Sequence, residues 1–271
     1  MQKHHFIISA LLIPALLLLP AASACADEIG TLEDTLASDD AEYEECTLGD
    51  ATADAVCWSC GTDIAIIHGG ALGYSLIYGS VEDFDLENSF PDDNAIYIAT
   101  VTPEQLTSFL EELISPLTSD GGYNLVEEES ATELYPQFSG FTLKYDVSCL
   151  AGERVEKITL DGDEDQLDLE DDETLITMAV TDVLLETLEE TGLESSEPTD
   201  ETLRTAFAAY LEENGTLSAP DTDRTTVRGL GGKTLISYVP FAAILVAVIL
   251  IAYFAFSQKE RNRKFYTFDP Y

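Results

Sequence analysis

An uncharged, apolar stretch near the C-terminus, residues 235–256, constrains this chain more than any other feature. Its twenty-two residues are enough for a helix to cross a hydrocarbon core of about 30 Å. Within a bilayer only helices and closed barrels satisfy every backbone polar group. Pro240 lies in the first third of the stretch, where a membrane helix tolerates a kink. We therefore predict one transmembrane helix over residues 235–256.

The two ends of the chain predict how it is placed in the membrane. The first 24 residues carry a basic start, an apolar run and a small-residue end, which is the pattern of a cleaved secretory signal. Residues 257–271 contain four basic side chains, and this favours a cytoplasmic tail. Together these signals predict a single-pass protein of the cell membrane, with its N-terminal domain outside the cytoplasm. Cleavage after Ala24 would leave Cys25 available for lipidation, and cleavage after Ala26 fits the pattern equally well.

The acidic residues are concentrated in the region predicted to be extracytoplasmic. Residues 25–233 contain 50 Asp or Glu and seven Lys or Arg, a net charge of −43. This excludes a nucleic-acid partner bound through a basic surface. The chain is also 45% hydrophobic, which is too high for a disordered segment, so we expect a folded core beneath an acidic surface.

Periodicity and helix-end signals predict alternating strands and helices. Residues 62–67 are a short apolar run that ends at His68 and two glycines, as a buried strand followed by a turn does. Residues 95–101 alternate as a strand. Residues 102–105 (TPEQ) then provide a helix cap, a first-turn proline and the glutamine of a capping box. The order of elements predicts a mixed α+β domain.

The limits of this domain are predicted from composition. A last helix is expected to begin at the cap Thr199 and to end before Gly215, which places the domain at residues 45–217. Residues 25–44 are acidic and lack periodicity, and they are predicted to be a flexible leader. Residues 218–234, rich in Thr, Gly and Asp, are predicted to be the linker to the membrane.

Two further patterns have both a structural and a functional interpretation. Cys57 and Cys60 have the spacing of a redox motif but lack the upstream strand of a thioredoxin fold, so a structural disulfide or two buried thiols is favoured. Residues 161–172 carry acids at positions 1, 3, 5 and 12 of a calcium-loop register. Gln166 stands where that loop requires glycine, and the leucines that follow alternate, which favours an acidic hairpin.

Seven short segments occur in a recognisable order along the chain. They are residues 45–55 (ECTLGDATADA), 63–70 (DIAIIHGG), 90–94 (FPDDN), 102–106 (TPEQL), 137–140 with 145–146 (QFSG, YD), 152–155 (GERV) and 202–215. Together they resemble the C-terminal domain of the 5′-nucleotidase family, which includes UDP-sugar hydrolases and 2′,3′-cyclic-nucleotide phosphodiesterases.

The resemblance implies an α/β/β/α layered fold and a division of labour. In that family an N-terminal metallophosphoesterase domain holds two metal ions and cleaves the phosphate, while the C-terminal domain binds the nucleoside part of the substrate. A two-metal site needs several His, Asp and Asn ligands, and this chain has three His, two of them in the signal. We expect no cofactor bound by this chain alone. A divalent metal would come only with a partner, or be held diffusely by the acidic surface.

The resemblance also identifies remnants of a nucleotide pocket. They are His68, Gly69, Gly70, Asn94, Ser139, Gly140 and Asp182. The phosphate-contacting arginines of the family correspond to Glu42 and Gly73, and its base-stacking aromatics to Asp92 and Val183. Because stacking contributes about 1–3 kcal/mol per base and charge-assisted phosphate contacts a comparable amount, nucleotide affinity is predicted to fall by several powers of ten.

Three functions are compatible with these features. The first is a membrane-anchored extracytoplasmic module, from a family that acts in nucleotide catabolism, that serves in binding or interaction without catalysis. The second is the substrate-binding subunit of a split nucleotide hydrolase, completed by a separate metallophosphoesterase chain. The third is an acidic surface protein that acts in cation-dependent adhesion. In none of them do we expect independent enzyme activity from this chain.

Overall fold

The computed structural model describes residues 28–119, 125–127, 133–193 and 196–230. The predicted signal, transmembrane helix and cytoplasmic tail lie outside these residues. Within the described ranges, none of the helices has the length and apolarity needed to cross a membrane.

The described residues form short strands and five helices of six to fourteen residues. The strands are β1 (Glu28–Leu32), β2 (Ile64–His68), β3 (Gly79–Glu82), β4 (Ala95–Val101), β5 (Leu117–Ser119), β6 (Leu125–Glu127), β7 (Pro136–Ser139), β8 (Phe141–Asp146), β9 (Val155–Leu160), β10 (Ile176–Thr181), β11 (Ser196–Thr202), β12 (Thr216–Leu217) and β13 (Thr225–Arg228). The helices are α1 (Thr47–Cys60), α2 (Asp83–Ser89), α3 (Pro103–Ile114), α4 (Leu185–Glu190) and α5 (Leu203–Asn214).

A five-stranded mixed sheet of order β11-β4-β10-β2-β7 forms the centre of the domain. Its strands β2 and β10 are parallel neighbours, and the other pairs are antiparallel. Side chains alternate between the faces: Ile64 and Ile66 of β2 pack in one core with α3 and β8, and Ile67 packs in another with α1 and α5. The prediction of a mixed α/β domain is confirmed.

Local signals place two helix starts. At α3 the hydroxyl of Thr102 accepts from the backbone N of Gln105 (3.2 Å), and the Gln105 side chain accepts from the backbone N of Thr102 (3.1 Å), which is the predicted capping box. At α5 the prediction that Thr199 caps the helix is wrong. Its hydroxyl donates to the carbonyl of Ile96 (2.9 Å) within the sheet, and Thr202 caps the helix instead.

The prediction of a flexible leader is wrong from Glu28 onward. Strand β1 pairs with both β12 and β3, and Leu32, Leu36 and Ala41 are buried. Leu36 exchanges backbone hydrogen bonds with Leu76 at 2.8 and 3.0 Å. The apolar residues of this segment are too few to show periodicity, and their partners come from distant parts of the chain.

The predicted linker is also partly structured. Strand β13 pairs in parallel with β8, and Arg224 just before it is held by α1 and β7. Both oxygens of Glu45 accept backbone N–H groups, from Arg224 (2.9 Å) and Thr225 (2.8 Å). The Arg224 guanidinium donates to the Phe138 carbonyl (2.7 Å) and to Asp54 Oδ2 (2.8 Å). Hydrogen bonds and an ion pair therefore fix this segment in place. The periodicity of the sequence gives no sign of such contacts.

Asp50 completes the network around Arg224. It is 1% exposed, and its Oδ1 lies 3.8 Å from Arg224 Nη1. Burial raises the pKa of Asp50 to about 8, although the Arg224 charge lowers it. Burial therefore opposes ionisation of Asp50, and the shorter contact to Arg224 is made by Asp54, at 2.8 Å.

The acidic segment 161–172 differs from the predicted hairpin. A turn follows β9, but the leucines beyond it form no second strand. Instead the backbone N of Leu167 donates to the carbonyl of Ile158 (2.9 Å), and Leu167 and Leu169 pack against the core. Packing of these two leucines against the core therefore holds the segment in place. The alternation of apolar residues in the sequence comes from this packing and not from a strand.

Gly140 joins the central sheet to the second sheet, of order β13-β8-β9. It lies between β7 and β8 with φ +90°, and a Cβ at this position would lie 2.3 Å from the carbonyl oxygen of Asp63. Any side chain here would meet both backbone strain and a backbone atom, so only glycine allows the chain to pass between the sheets.

Replacing Arg224 by alanine should destabilise the domain by about 3 kcal/mol, because it leaves partly buried carboxyl groups and a carbonyl without their partner. The matched control is Arg228→Ala, four residues later. The Arg228 side chain is 57% exposed and pairs with Glu156, so its loss should cost under about 1 kcal/mol. Urea unfolding followed by circular dichroism measures both. Equal effects would contradict the role given to Arg224.

Gly140→Ala should lower the free energy of unfolding by at least about 2 kcal/mol more than Gly162→Ala. Both glycines have positive φ (+90° and +87°), but a Cβ at Gly162 meets nothing within 4 Å. The control therefore carries only backbone strain, about 1 kcal/mol, while Gly140→Ala adds overpacking. Thermal and urea unfolding of the two variants would refute the argument if their losses were the same.

Candidate functional site

The parallel pairing of β2 with β10 brings polar residues to one edge of the central sheet. Both strands end at this edge, and the antiparallel β4 begins there. His68 is the last residue of β2, Asp182 follows β10, and Asn94 precedes β4. The carboxyl ends of adjacent parallel strands are a common place for ligands in open sheets. We call His68, Asn94, Thr181 and Asp182 the edge cluster.

Internal hydrogen bonds satisfy most of the edge cluster. His68 is 5% exposed, and its Nδ1 lies 2.9 Å from the hydroxyl of Thr181. Asn94 donates from Nδ2 to Asp182 Oδ1 (3.2 Å), and the same oxygen accepts from the backbone N of Val183 (2.9 Å). The cluster is therefore bonded mainly to itself.

The electrostatics of the cluster favour a neutral imidazole. Burial lowers the pKa of His68, and the nearby carboxylates of Asp182 and Asp92 raise it by a smaller amount. The net direction is downward, so His68 is uncharged at neutral pH and offers no positive charge to an anion.

The two glycines after His68 pack against the backbone of other segments. Their N–H groups donate to the carbonyls of Tyr135 and Glu133, both at 2.8 Å. A Cβ on Gly69 would lie 1.9 Å from the carbonyl oxygen of Ala41. The turn is adjacent to His68 as predicted, but its N–H groups are already bonded and form no cradle for a phosphate.

Ser139 and Gly140 do not join the edge cluster. Strand β7 runs antiparallel to β2, so Pro136 lies opposite His68 and Ser139 opposite Ala65, about 10 Å back along the strand. The Ser139 hydroxyl donates to Asp54 Oδ1 (2.6 Å), beside the Arg224 network. Five of the seven predicted pocket residues lie at the edge. Of the other two, Ser139 bonds to α1, and Gly140 lets the chain pass from the central sheet to the second sheet.

The positions that correspond to ligand-binding residues of the family have different surroundings. A Cβ on Gly73 would lie 2.3 Å from the carbonyl oxygen of Asn88 and 3.1 Å from Cδ of Pro91, so this position has no room for an arginine. Glu42 and Asp92 are both exposed. We call positions 42, 73 and 92 the rim. It presents carboxylates at Glu42 and Asp92, where the resemblance implies an arginine and an aromatic ring.

Arg204, which the sequence analysis missed, provides a cation near this rim, and it is held by its neighbours. Its Nη2 donates to the Phe90 carbonyl (3.3 Å), and its guanidinium lies 3.9 Å from both Asp93 and Glu87. Asp93 Oδ1 also accepts the Arg204 backbone N (3.2 Å). A lone basic residue in the first turn of a predicted helix was the available signal. Thr181 was also missed. The available signal there was a polar side chain at the end of an apolar strand.

Of the two alternatives for Cys57 and Cys60, a disulfide or two buried thiols, the structure has the thiols, both free and half-buried. The Cys57 thiol donates to the Thr62 carbonyl (3.1 Å). Burial raises the pKa of both thiols, that of Cys60 to about 11. Neither thiol is activated as a nucleophile. Among the described residues there is also no group of three or more His, Cys, Asp or Glu that could hold a metal ion.

Comparison with solved structures identifies proteins that share this fold. The structure is similar to that of a 5′-nucleotidase precursor from Thermus thermophilus, with a TM-score of 0.63 and 21% identity, over 74% of this chain and 39% of that one. The NAD nucleotidase of Haemophilus influenzae gives 0.62 and 12%, over 75% and 38%. The sulfate thiohydrolase SoxB, also of Thermus thermophilus, gives 0.56 and 16%, over 75% and 35%.

These likenesses show a shared fold, and the sequence itself carries the family assignment. The chain spans about two fifths or less of each of the three proteins. No curated protein sequence matches it. The family model for the 5′-nucleotidase C-terminal domain matches residues 28–203. The chain therefore belongs to the 5′-nucleotidase family through its C-terminal domain.

Proposed function

We propose that this protein is a membrane-anchored, extracytoplasmic interaction module that keeps the scaffold of the nucleotidase substrate domain without catalysing hydrolysis. The observation that carries the proposal is the filled position at Gly73, where the Asn88 carbonyl occupies the space that a phosphate-binding arginine would need. A missing charge can be supplied by a neighbour, whereas a closed backbone contact cannot be opened without moving α2.

The electrostatics of the rim support the same proposal. Asp92 and Asp182 both act on His68, Glu42 is exposed nearby, and Arg204 is engaged by Asp93 and Glu87. A field of this sign repels the phosphate of a nucleotide. Anion binding at this edge would therefore require added cations or a partner that supplies them.

Membrane attachment is proposed from the signal and the apolar stretch in the sequence. The structure adds a distance: Leu230 packs against the core, and the apolar stretch begins at residue 235. The five residue steps from Leu230 to residue 235 span at most about 18 Å. The proposed anchor would hold the domain close to the membrane surface, with a far shorter tether than the whole predicted linker.

A second candidate is a split hydrolase, in which a separate metallophosphoesterase chain supplies the metals. The edge cluster favours this candidate. Asn94 and Asp182 are both kept and are hydrogen-bonded to each other, so this part of the substrate-domain scaffold is intact. This candidate requires co-purification of the two chains and metal-dependent phosphate release by the mixture.

The full chain in detergent should release no phosphate above background from AMP or UDP-glucose with Mn²⁺ or Zn²⁺ present. It should also bind AMP at least tenfold more weakly than the variant Glu42→Arg/Asp92→Phe, because the variant restores a cation and a stacking ring at exposed positions. The control, Glu212→Arg/Glu213→Phe, makes the same replacements at exposed positions on α5. Phosphate release by the wild type, or equal gains in both variants, would overturn the proposal.

If His68 is structural, it should make folding sensitive to acid. Because its pKa is lowered in the folded state, the unfolded chain takes up the proton first, and stability falls as the pH drops below about 6.5. His68→Gln should reduce this fall between pH 7 and pH 5, by up to about 1.4 kcal/mol per pH unit.

Thr181→Val is the matched variant for this measurement. It removes the hydrogen bond to His68 but keeps the titrating ring, so the protein should be less stable at pH 7 and should retain its acid sensitivity. Thermal unfolding across the pH range measures both variants. An unchanged pH profile in His68→Gln would show that folding does not lower the pKa of His68, and it would contradict the structural role.

A further inference from the structure

The segment between β2 and β4 exposes large apolar side chains that no other part of the described structure covers. Tyr74, Ile77, Tyr78 and Phe84 have 76, 62, 68 and 68% of their surfaces exposed. The other exposed large apolar residues, such as Leu150 and Leu175, are scattered along the chain. Single exposed apolar residues are normal, whereas several within eleven positions indicate an interaction surface.

Three of these side chains border one groove. The groove has a volume of about 300 Å³ and lies between the 74–78 segment and α2, with Tyr74, Ile77 and Phe84 among its lining residues. The buried Leu76 and Ser89 also line it. We call this the aromatic groove.

Hydrogen bonds to the backbone hold the walls of the aromatic groove together. The backbone N of Tyr74 donates to the Asn88 carbonyl (3.0 Å), and the Ser89 hydroxyl donates to the Tyr74 carbonyl (2.7 Å). Leu76 is bonded to Leu36 on the other side. The walls are therefore positioned before any partner arrives, which lowers the entropic cost of binding.

The charges around the groove select the chemistry of its partner. Glu82, Asp83, Asp85 and Glu87 lie on α2 and its cap, and Asp85 lines the groove itself. Among the described residues, only Glu87 of these four is near a cation, at 3.9 Å from Arg204. Carboxylates beside exposed aromatic faces attract cations through both charge and the ring quadrupole. Anionic surfaces are repelled.

We propose that the aromatic groove docks a basic segment of another protein, one in which Lys or Arg alternates with apolar side chains. The apolar side chains enter between Tyr74 and Phe84, and the cations meet the carboxylates of α2. The inference deepens the proposed interaction role and rests on it. It does not involve the edge cluster, so the two can be tested separately.

The test uses the full chain in nanodiscs of zwitterionic lipid and a fluorescent peptide of alternating Lys and Leu as the probe. Binding should be saturable and should fall at least tenfold in Tyr74→Ser/Phe84→Ser. The matched control, Leu150→Ser/Leu175→Ser, removes two equally exposed leucines elsewhere and should change affinity less than twofold. All four positions are exposed, so unchanged thermal unfolding serves to verify folding.

Each alternative has its own result. Equal affinity for the wild type and the groove variant would show that the peptide binds the acidic surface diffusely, and it would overturn the proposal. A Glu-Leu peptide that binds as tightly as the Lys-Leu peptide would reject the basic partner. Wild-type binding to added zwitterionic vesicles that the groove variant loses would assign the groove to lipid instead.

Phosphate release is measured on the same samples. Hydrolysis would overturn the proposed non-catalytic function whatever the peptide does. Loss of the difference between groove and control variants would overturn only the docking site.

Discussion

The parallel pairing of β2 with β10 is the constraint on which the candidate site depends. The register joins Met178 to Ile64 and Val180 to Ile66, and both strands are buried almost throughout. Parallel neighbours cannot be joined by a hairpin and need a long crossover, which here contains α2, α3 and strands β3 to β9. The same pairing places the ends of both strands side by side, so the edge cluster is a direct consequence of strand direction.

The scarcity of cations has a structural consequence as well as an electrostatic one. Arg154 is 7% exposed and donates to the carbonyls of Ile114 and Ser115 at the end of α3 (2.5 and 2.9 Å). Arg224 fastens the start of β13 to α1, and Arg204 fastens α5 to the loop before β4. With only seven basic residues in residues 25–233, cations used as structural donors are withdrawn from ligand binding. The proposals of weak anion binding at the sheet edge and of a basic partner at the aromatic groove both rest on this scarcity of free cations.

The segment between β2 and β4 combines two surfaces of opposite character. Its ends, at His68 and Asn94, belong to the edge cluster, whose side chains bond mainly to one another. Its middle forms the open aromatic groove. Gly73 connects them, because its backbone N donates to the Ser89 carbonyl (2.8 Å) beside the groove, and the same close packing fills the arginine position of the family. Gly73 thus packs against the C-terminal end of α2, which also forms one wall of the aromatic groove.

Signals confined to a few neighbouring residues were predictable: the family motifs, strand β4, the capping box of α3 and the turn after His68. These depend on local backbone preferences and alternation, which the sequence by itself determines. The order of residues 28–44 and of β13, and the separation of Ser139 from His68, were decided only by the tertiary structure. These features are stabilised by contacts with segments that are distant in the sequence. A local sequence pattern does not show whether two distant segments come together.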